Sequence, residues 1–161
     1  MKEIFVRRKD REIIDIESIC SIIDICKVFR IAISVNNVPY IVPLNFGYEF
    51  KNNHFNFYFH CANEGRKIDM IRKNDTVCFE MDCWHEMTAA DTACSYGYLY
   101  KSVVGTGKVK ILNDTEDKIN ALNILMYHQT GKDFSFTENQ VSTVTVCRID
   151  VLELSAKQRT T

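Results

Sequence analysis

Apolar and polar residues alternate along most of this chain with a period near two, interrupted three times by stretches with the 3.6-residue period of a helix. The first helical stretch follows Asp15, a candidate N-cap, and places Ile16, Ile19, Ile23 and Cys26 on one face. VFRIAISV then reads as a β-branched strand. Asn36 and Asn37 supply left-handed turn residues, and PYIVPLNFGYEF reads as the antiparallel partner. A second turn at KNN leads into HFNFYFH, where Phe55, Phe57 and Phe59 share a face opposite Asn56 and Tyr58, the pattern of a half-buried strand. The helical period returns in NEGRKIDMIRKN, with Ile68 and Ile71 inward, before the strand-like TVCFEMDCW.

The second half repeats this texture. GYLYKSVVGTGKVKIL predicts a long strand in which Gly105 and Gly107 mark a bulge or a close approach. Asp114 caps a last substantial helix, with Ile119, Leu122 and Met126 inward and Gly131 at its end. VTVCRIDVLEL carries apolar residues on both faces, as a strand closing a barrel or an interface would. The tally is six strands joined mostly by turns, with no repeated strand–helix unit and no GxGxxG fingerprint. A mainly β fold with flanking helices is expected, and a Rossmann domain is not.

Length and composition narrow the reading. With 161 residues and no repeat, low-complexity tract or linker, one domain spanning 1–161 is expected. Hydrophobic residues at 46% and charged residues at 25% are the balance of a folded globular protein. A net charge of -1 offers no basic excess for phosphate backbones, which argues against nucleic acid as a partner. MKEIFVRRKDREIID lacks the apolar run of a signal peptide or membrane span, so a cytoplasmic location and no membrane association are expected.

The seven cysteines, at 20, 26, 61, 78, 83, 94 and 147, form no CxxC pair and read as reduced, mostly buried thiols. Cys83, His85 and Cys94 are soft-ligand types without paired spacing, so no metal site is predicted. Trp84, Tyr96, Tyr98 and Tyr100 suit a pocket wall, a core or a dimer contact.

The segment FHCANEGRKIDMI, residues 59–71, places a strand end, a small-residue loop, an arginine–lysine pair and a helix start in succession. Free N–H groups and the dipole at a helix N-terminus attract an anion. Gly65 lets the backbone approach closely, Arg66 offers a planar fork and Lys67 a compact point charge. By spacing alone, the same pair also fits two solvated charges on a surface helix.

This segment resembles the flavin-phosphate loop of pyridoxamine 5′-phosphate oxidases. RRKDREIID, PYIVPLNFGYEF, FHCANEGRKID, VCFEMD and YKSVVGTGKV also occur in the order seen in the nitroimidazole-resistance proteins of that superfamily. The resemblance implies a six-stranded antiparallel Greek-key split β-barrel and a homodimer, with flavin mononucleotide (FMN) in the crevice between subunits and FAD as the alternative. It assigns Gly65, Arg66 and Lys67 to the flavin phosphate and His60 and Cys61 to strand-end contacts. Pro43, Leu44, Asn45 and Phe46 become the strand along the flavin ring, and Ser102 a further contact. His60 matches the histidine that nitroimidazole-resistance proteins place beside the isoalloxazine, where a near-neutral pKa lets it pass a proton.

The oxidases carry basic residues near the positions of Ile41 and Phe46, and a C-terminal tryptophan and arginine set, whereas this chain ends ELSAKQRTT. Oxidation of vitamin B6 is therefore not expected. The resemblance implies a flavin-dependent oxidoreductase that reduces small planar nitroaromatic acceptors such as 5-nitroimidazoles. The alternative is a non-catalytic module holding flavin or haem on the same scaffold.

Overall fold

The computed structural model describes residues 7–160. In chain order its elements are β1 (Glu12–Ile13), α1 (Ile16–Ile25), β2 (Val28–Val35), β3 (Val38–Asn45), β4 (Gly47–Lys51), β5 (His54–Cys61), α2 (Arg66–Lys73), β6 (Thr76–Thr88), β7 (Gly97–Ile111), α3 (Thr115–Thr130), α4 (Glu138–Ser142) and β8 (Thr145–Arg159). Turn chemistry sets both early hairpins. Asn36 and Asn37 lie at φ 53° and 62°, and Asn52 and Asn53 at 52° and 59°, the consecutive left-handed residues of a two-residue hairpin loop. Asp15 caps α1 by accepting from Ser18 N–H at 2.8 Å, and Asp114 caps α3 through the N–H groups of Glu116 and Asp117. Gly131, at φ 70°, ends α3.

All strand pairs are antiparallel, and the sheet runs β3-β2-β6-β7-β8-β5-β4, with β1 paired to the far end of β8. Strands β3 and β4 occupy opposite ends of that order although only Phe46 separates them in sequence. The sheet must therefore curl until its two edges meet, leaving a barrel split between β3 and β4.

The predicted count of six strands is corrected to eight among the described residues. The expected strand PYIVPLNFGYEF is two strands, because the chain turns at Phe46 to plant that side chain in the core. β1 adds the eighth; it has two residues, too few to show a period. Gly105 and Gly107 act as expected: β7 shifts register against β8 between Thr106 and Gly107. A Cβ on Gly107 would lie 2.5 Å from Ile149 Cγ2.

The core fills the concave side. Phe29, Phe46, Phe55, Phe57 and Phe59 are fully buried, with ring centroids 4.9 Å apart for Phe29–Phe46 and 5.6 Å for Phe46–Phe57. Residues Ile19, Ile22 and Ile23 of α1 join them. A second cluster of Tyr58, Leu122, Val141 and Val146 sits between α3, α4 and the other face of β5 and β8. β5 is thus buried on both faces, correcting the half-buried expectation. Its partners beyond the sheet come from a helix more than fifty residues downstream. The inward stripe of α3 is Ala121, Leu122 and Leu125, with Ile119 and Met126 only partly buried at its margins.

Gly47 opens β4 directly against α3. A Cβ there would stand 2.6 Å from Leu125 N and 2.7 Å from Ile124 O, both backbone atoms. Gly47→Ala is therefore expected to cost about 1–3 kcal/mol by overpacking, read as a lower urea midpoint with an unchanged slope.

Candidate functional site

β5 and α2 frame the loop that the sequence singles out. α2 starts at Arg66 after Gly65, whose φ of 129° is a conformation that side chains disfavour, and no side chain caps the helix. The first N–H groups of α2 are thus left without a side-chain partner at its positive end. They face a cavity of about 180 Å³ lined by Tyr40, Cys61, Gly65, Arg66 and Lys67, with the exposed Glu64 among its lining residues.

The Arg66 guanidinium lies 4.6 Å from the Tyr40 ring centroid, and Lys67 Nζ 6.0 Å from that of Phe59. Neither cation is in a salt bridge among the described residues, whereas Lys108, Lys110, Arg30 and Arg148 all are. Two cations without carboxylate partners, an uncapped helix start and a glycine with open space where a Cβ would be make a cradle for an anion. Tyr40, absent from the sequence-derived set, orients Arg66 by stacking. Its signal was its place on the inward side of the first hairpin.

Successive residues of a strand point to opposite faces, so His60 and Cys61 part company. Cys61 follows Phe57 and Phe59 to the concave side and reaches the anion cradle. His60 follows Tyr58 to the helix-covered side, where a cavity of about 250 Å³ is lined by His60, Leu122, Leu125, Met126, Phe136 and Val144. Burial and then the charge of Lys67 hold the His60 imidazole below its ordinary pKa, so the neutral ring is favoured. His60 shares the field of the cradle without lining it.

The remaining expected contacts lie elsewhere. Pro43 pairs with Arg30, and Ser102 with Asp82, on the convex face, where Arg30 Nη1 bridges Glu80 at 3.1 Å and Asp82 at 2.8 Å. Asn45 is exposed, with its amide donating to Lys27 O at 3.1 Å, and Leu44 packs partly buried against the core. The Phe46 side chain is fully buried and its carbonyl accepts from Gln129, so it reaches no ligand within this subunit. A larger cavity, about 920 Å³, opens between α1, β4 and α3 and shares no lining residue with the cradle. Its polar groups are largely committed: Tyr48 OH to Asp24, Lys27 Nζ to two carbonyls and Gln129 to Phe46 O.

The family model for pyridoxamine 5′-phosphate oxidase matches residues 15–158. The chain belongs to the pyridoxamine 5′-phosphate oxidase family. Among solved structures of similar fold is a candidate 5-nitroimidazole antibiotic resistance protein from Bacteroides thetaiotaomicron, 34% identical, with a TM-score of 0.79 over 91% of this chain and 86% of that one. The flavocytochrome Anf3 from Azotobacter vinelandii superposes at 0.79 with 18% identity, covering 98% of this chain and 73% of its own. A FAD and heme binding protein from Mycobacterium smegmatis reaches 0.79 at 12% identity, with 94% and 74% covered. At those identities the last two establish the shared fold alone. No curated protein sequence matches the chain. Among the described residues, no helix of this family member is long and apolar enough to cross a membrane.

Proposed function

We propose that this chain is a flavin-dependent reductase of small nitroaromatic compounds such as 5-nitroimidazoles, working as a homodimer that holds FMN. The observation that carries the reading is the cradle of Gly65, Arg66 and Lys67, with two cations outside any salt bridge at an uncapped helix start. One helix terminus and two cations suit a single phosphate, which favours FMN over FAD. The 34% identity to a candidate nitroimidazole resistance protein supports the choice of acceptor. Exposed Val28, Ile41 and Val104 on the convex face offer a second copy apolar surface beside Pro43 and Ser102.

When bound, the flavin supplies electron transfer to the acceptor. The chain's own residues do the rest: Arg66 and Lys67 anchor the phosphate, and Leu122, Met126 and Phe136 line one side of the cavity that holds the exposed His60. His60 holds the proton that a reduced nitro group takes up. Its depressed pKa fixes the sign of the pH dependence. Near pH 7 the ring is mostly neutral, so its donor form grows as pH falls through that lowered value.

The test begins with absorption between the near ultraviolet and blue. A yellow protein sedimenting as a dimer is expected, and a colourless one that ignores added FMN refutes the cofactor. Single-turnover reduction of a nitroimidazole by the photoreduced protein should then quicken as pH falls below the ordinary imidazole range, and slow roughly 100-fold in His60→Ala. A flat profile with an unchanged rate removes His60 from the chemistry. The rival function, a module that holds flavin or haem without turnover, predicts reoxidation no faster with nitroaromatic than with buffer.

A further inference from the structure

Antiparallel pairing sets Cys61 opposite Thr145 and Phe59 opposite Cys147, which puts Cys61 and Cys147 diagonally adjacent on the concave face. Both pack in one cluster. Their surroundings differ. Cys147 is fully buried, whereas Cys61 is half-buried and lines the cradle with Lys67, Arg66, Glu64 and Tyr40.

An electropositive, partly open pocket next to a helix N-terminus is the setting in which thiols become nucleophiles, because the thiolate is stabilised while access is kept. Cys147 sets a second, buried thiol beside Cys61 on the neighbouring strand. We propose that Cys61 is a nucleophilic thiol, a site of covalent modification by soft electrophiles, and that an anion seated on Arg66 and Lys67 controls access to it. This stands on the cradle's geometry and holds whichever anion occupies it.

The other groups agree. The neighbouring Cys147 thiol, against the cost of burial and with help from Lys67, brings Cys61 from 9.0 down to about 7. The same contact and burial push Cys147 upward, so it stays a thiol. Cys78 is exposed, yet burial of its sulfur and the charge of Glu80 raise its pKa. Moving a thiol from 9.0 to about 7 gives roughly 50-fold more thiolate at pH 7, offset about 8-fold by lower intrinsic nucleophilicity, a net gain of about 6-fold.

The experiment is alkylation of the full-length protein with limiting iodoacetamide, followed by peptide mass spectrometry of each cysteine across pH 5–9. In each event the Cys61 thiolate forms an S–C bond as the C–I bond breaks and iodide leaves. The expected result is a Cys61 midpoint near neutrality, at least a pH unit below that of Cys78. Cys147→Ala, which removes the neighbouring thiol, should raise that midpoint, and Lys67→Met should raise it less. Inorganic phosphate should slow labelling of Cys61 and leave Cys78 unchanged. A Cys61 midpoint at or above that of Cys78 overturns the proposal, as does a midpoint unmoved by both substitutions. Labelling of Cys61 that is indifferent to phosphate overturns the control by anion. Labelling reads the thiol and absorbance reads the flavin, so failure here and failure of the cofactor reading are distinguishable.

Discussion

Phe57→Ala should destabilise the fold by about 3–5 kcal/mol, a large share of the roughly 5–15 kcal/mol that holds a domain of this size. Phe57 has no exposed surface, and its ring centroid lies 5.0 Å from Phe79, 5.6 Å from Phe46 and 6.2 Å from Phe29. Those rings come from β6, from the corner between β3 and β4, and from β2, so Phe57 ties the two ends of the sheet order together. Truncation leaves a void among rings held on paired strands, and the cavity cost adds to the lost burial. Urea unfolding with Phe134→Ala, a 42% exposed ring, as the control would measure it. A loss below about 1 kcal/mol, matching that surface control, would show that Phe57 is not the junction of the core.

The second large effect concerns binding. Arg66→Ala combined with Lys67→Ala is expected to weaken FMN binding by about 3–5 kcal/mol, since each charge-assisted bond contributes about 1.5–3 and neighbours on one ligand do not add fully. That is roughly two to four orders of magnitude in Kd. Neither side chain is fully buried and neither is in a salt bridge, so the fold should survive and unfolding should change little. Fluorescence titration of flavin gives the affinity, and FMN against riboflavin separates the phosphate from the ring. If the double variant binds FMN as tightly as the parent, the phosphate is held elsewhere. If the double variant loses affinity for FMN and riboflavin equally, the cradle is not phosphate-specific.

Much of the architecture is legible in the residues because its causes are local. The paired asparagines at 36–37 and 52–53 demand left-handed turns, the caps at Asp15 and Asp114 start helices, and Gly105 and Gly107 give way where β7 bends. The errors come from tertiary causes. Nothing local marks Phe46 as a corner, since Asn45 and Gly47 continue the alternation; only the distant partners Phe29 and Phe57 show why the chain bends there. Likewise the second face of β5 looks polar through Asn56 and His60 until α3 and α4 arrive to cover Tyr58.

The candidate site divides along the same line. Gly65, Arg66 and Lys67 are adjacent in sequence and meet at one cavity, as helix-start chemistry dictates. His60 and Cys61 are also adjacent, yet strand alternation sends them to opposite faces, and a motif read as one cluster becomes two environments. Residues matched on distant strands, Pro43 and Ser102, lie on the convex face, and they would meet a ligand held by the cradle only through another subunit or around the edge.

The chain's two prolines, Pro39 and Pro43, both fall on β3, the strand that ends the sheet. Set four residues apart, they lie on the same side of the strand's backbone, and with no partner bond to sacrifice toward β2 that side is the outward one. A free edge normally invites another chain to pair with it, which is how β proteins run into amyloid and strand exchange. Here two of the outward donors are missing, which makes β3 a poor template for a second chain. A contact made along this edge would have to rest on side chains, and not on a backbone template open to any extended peptide.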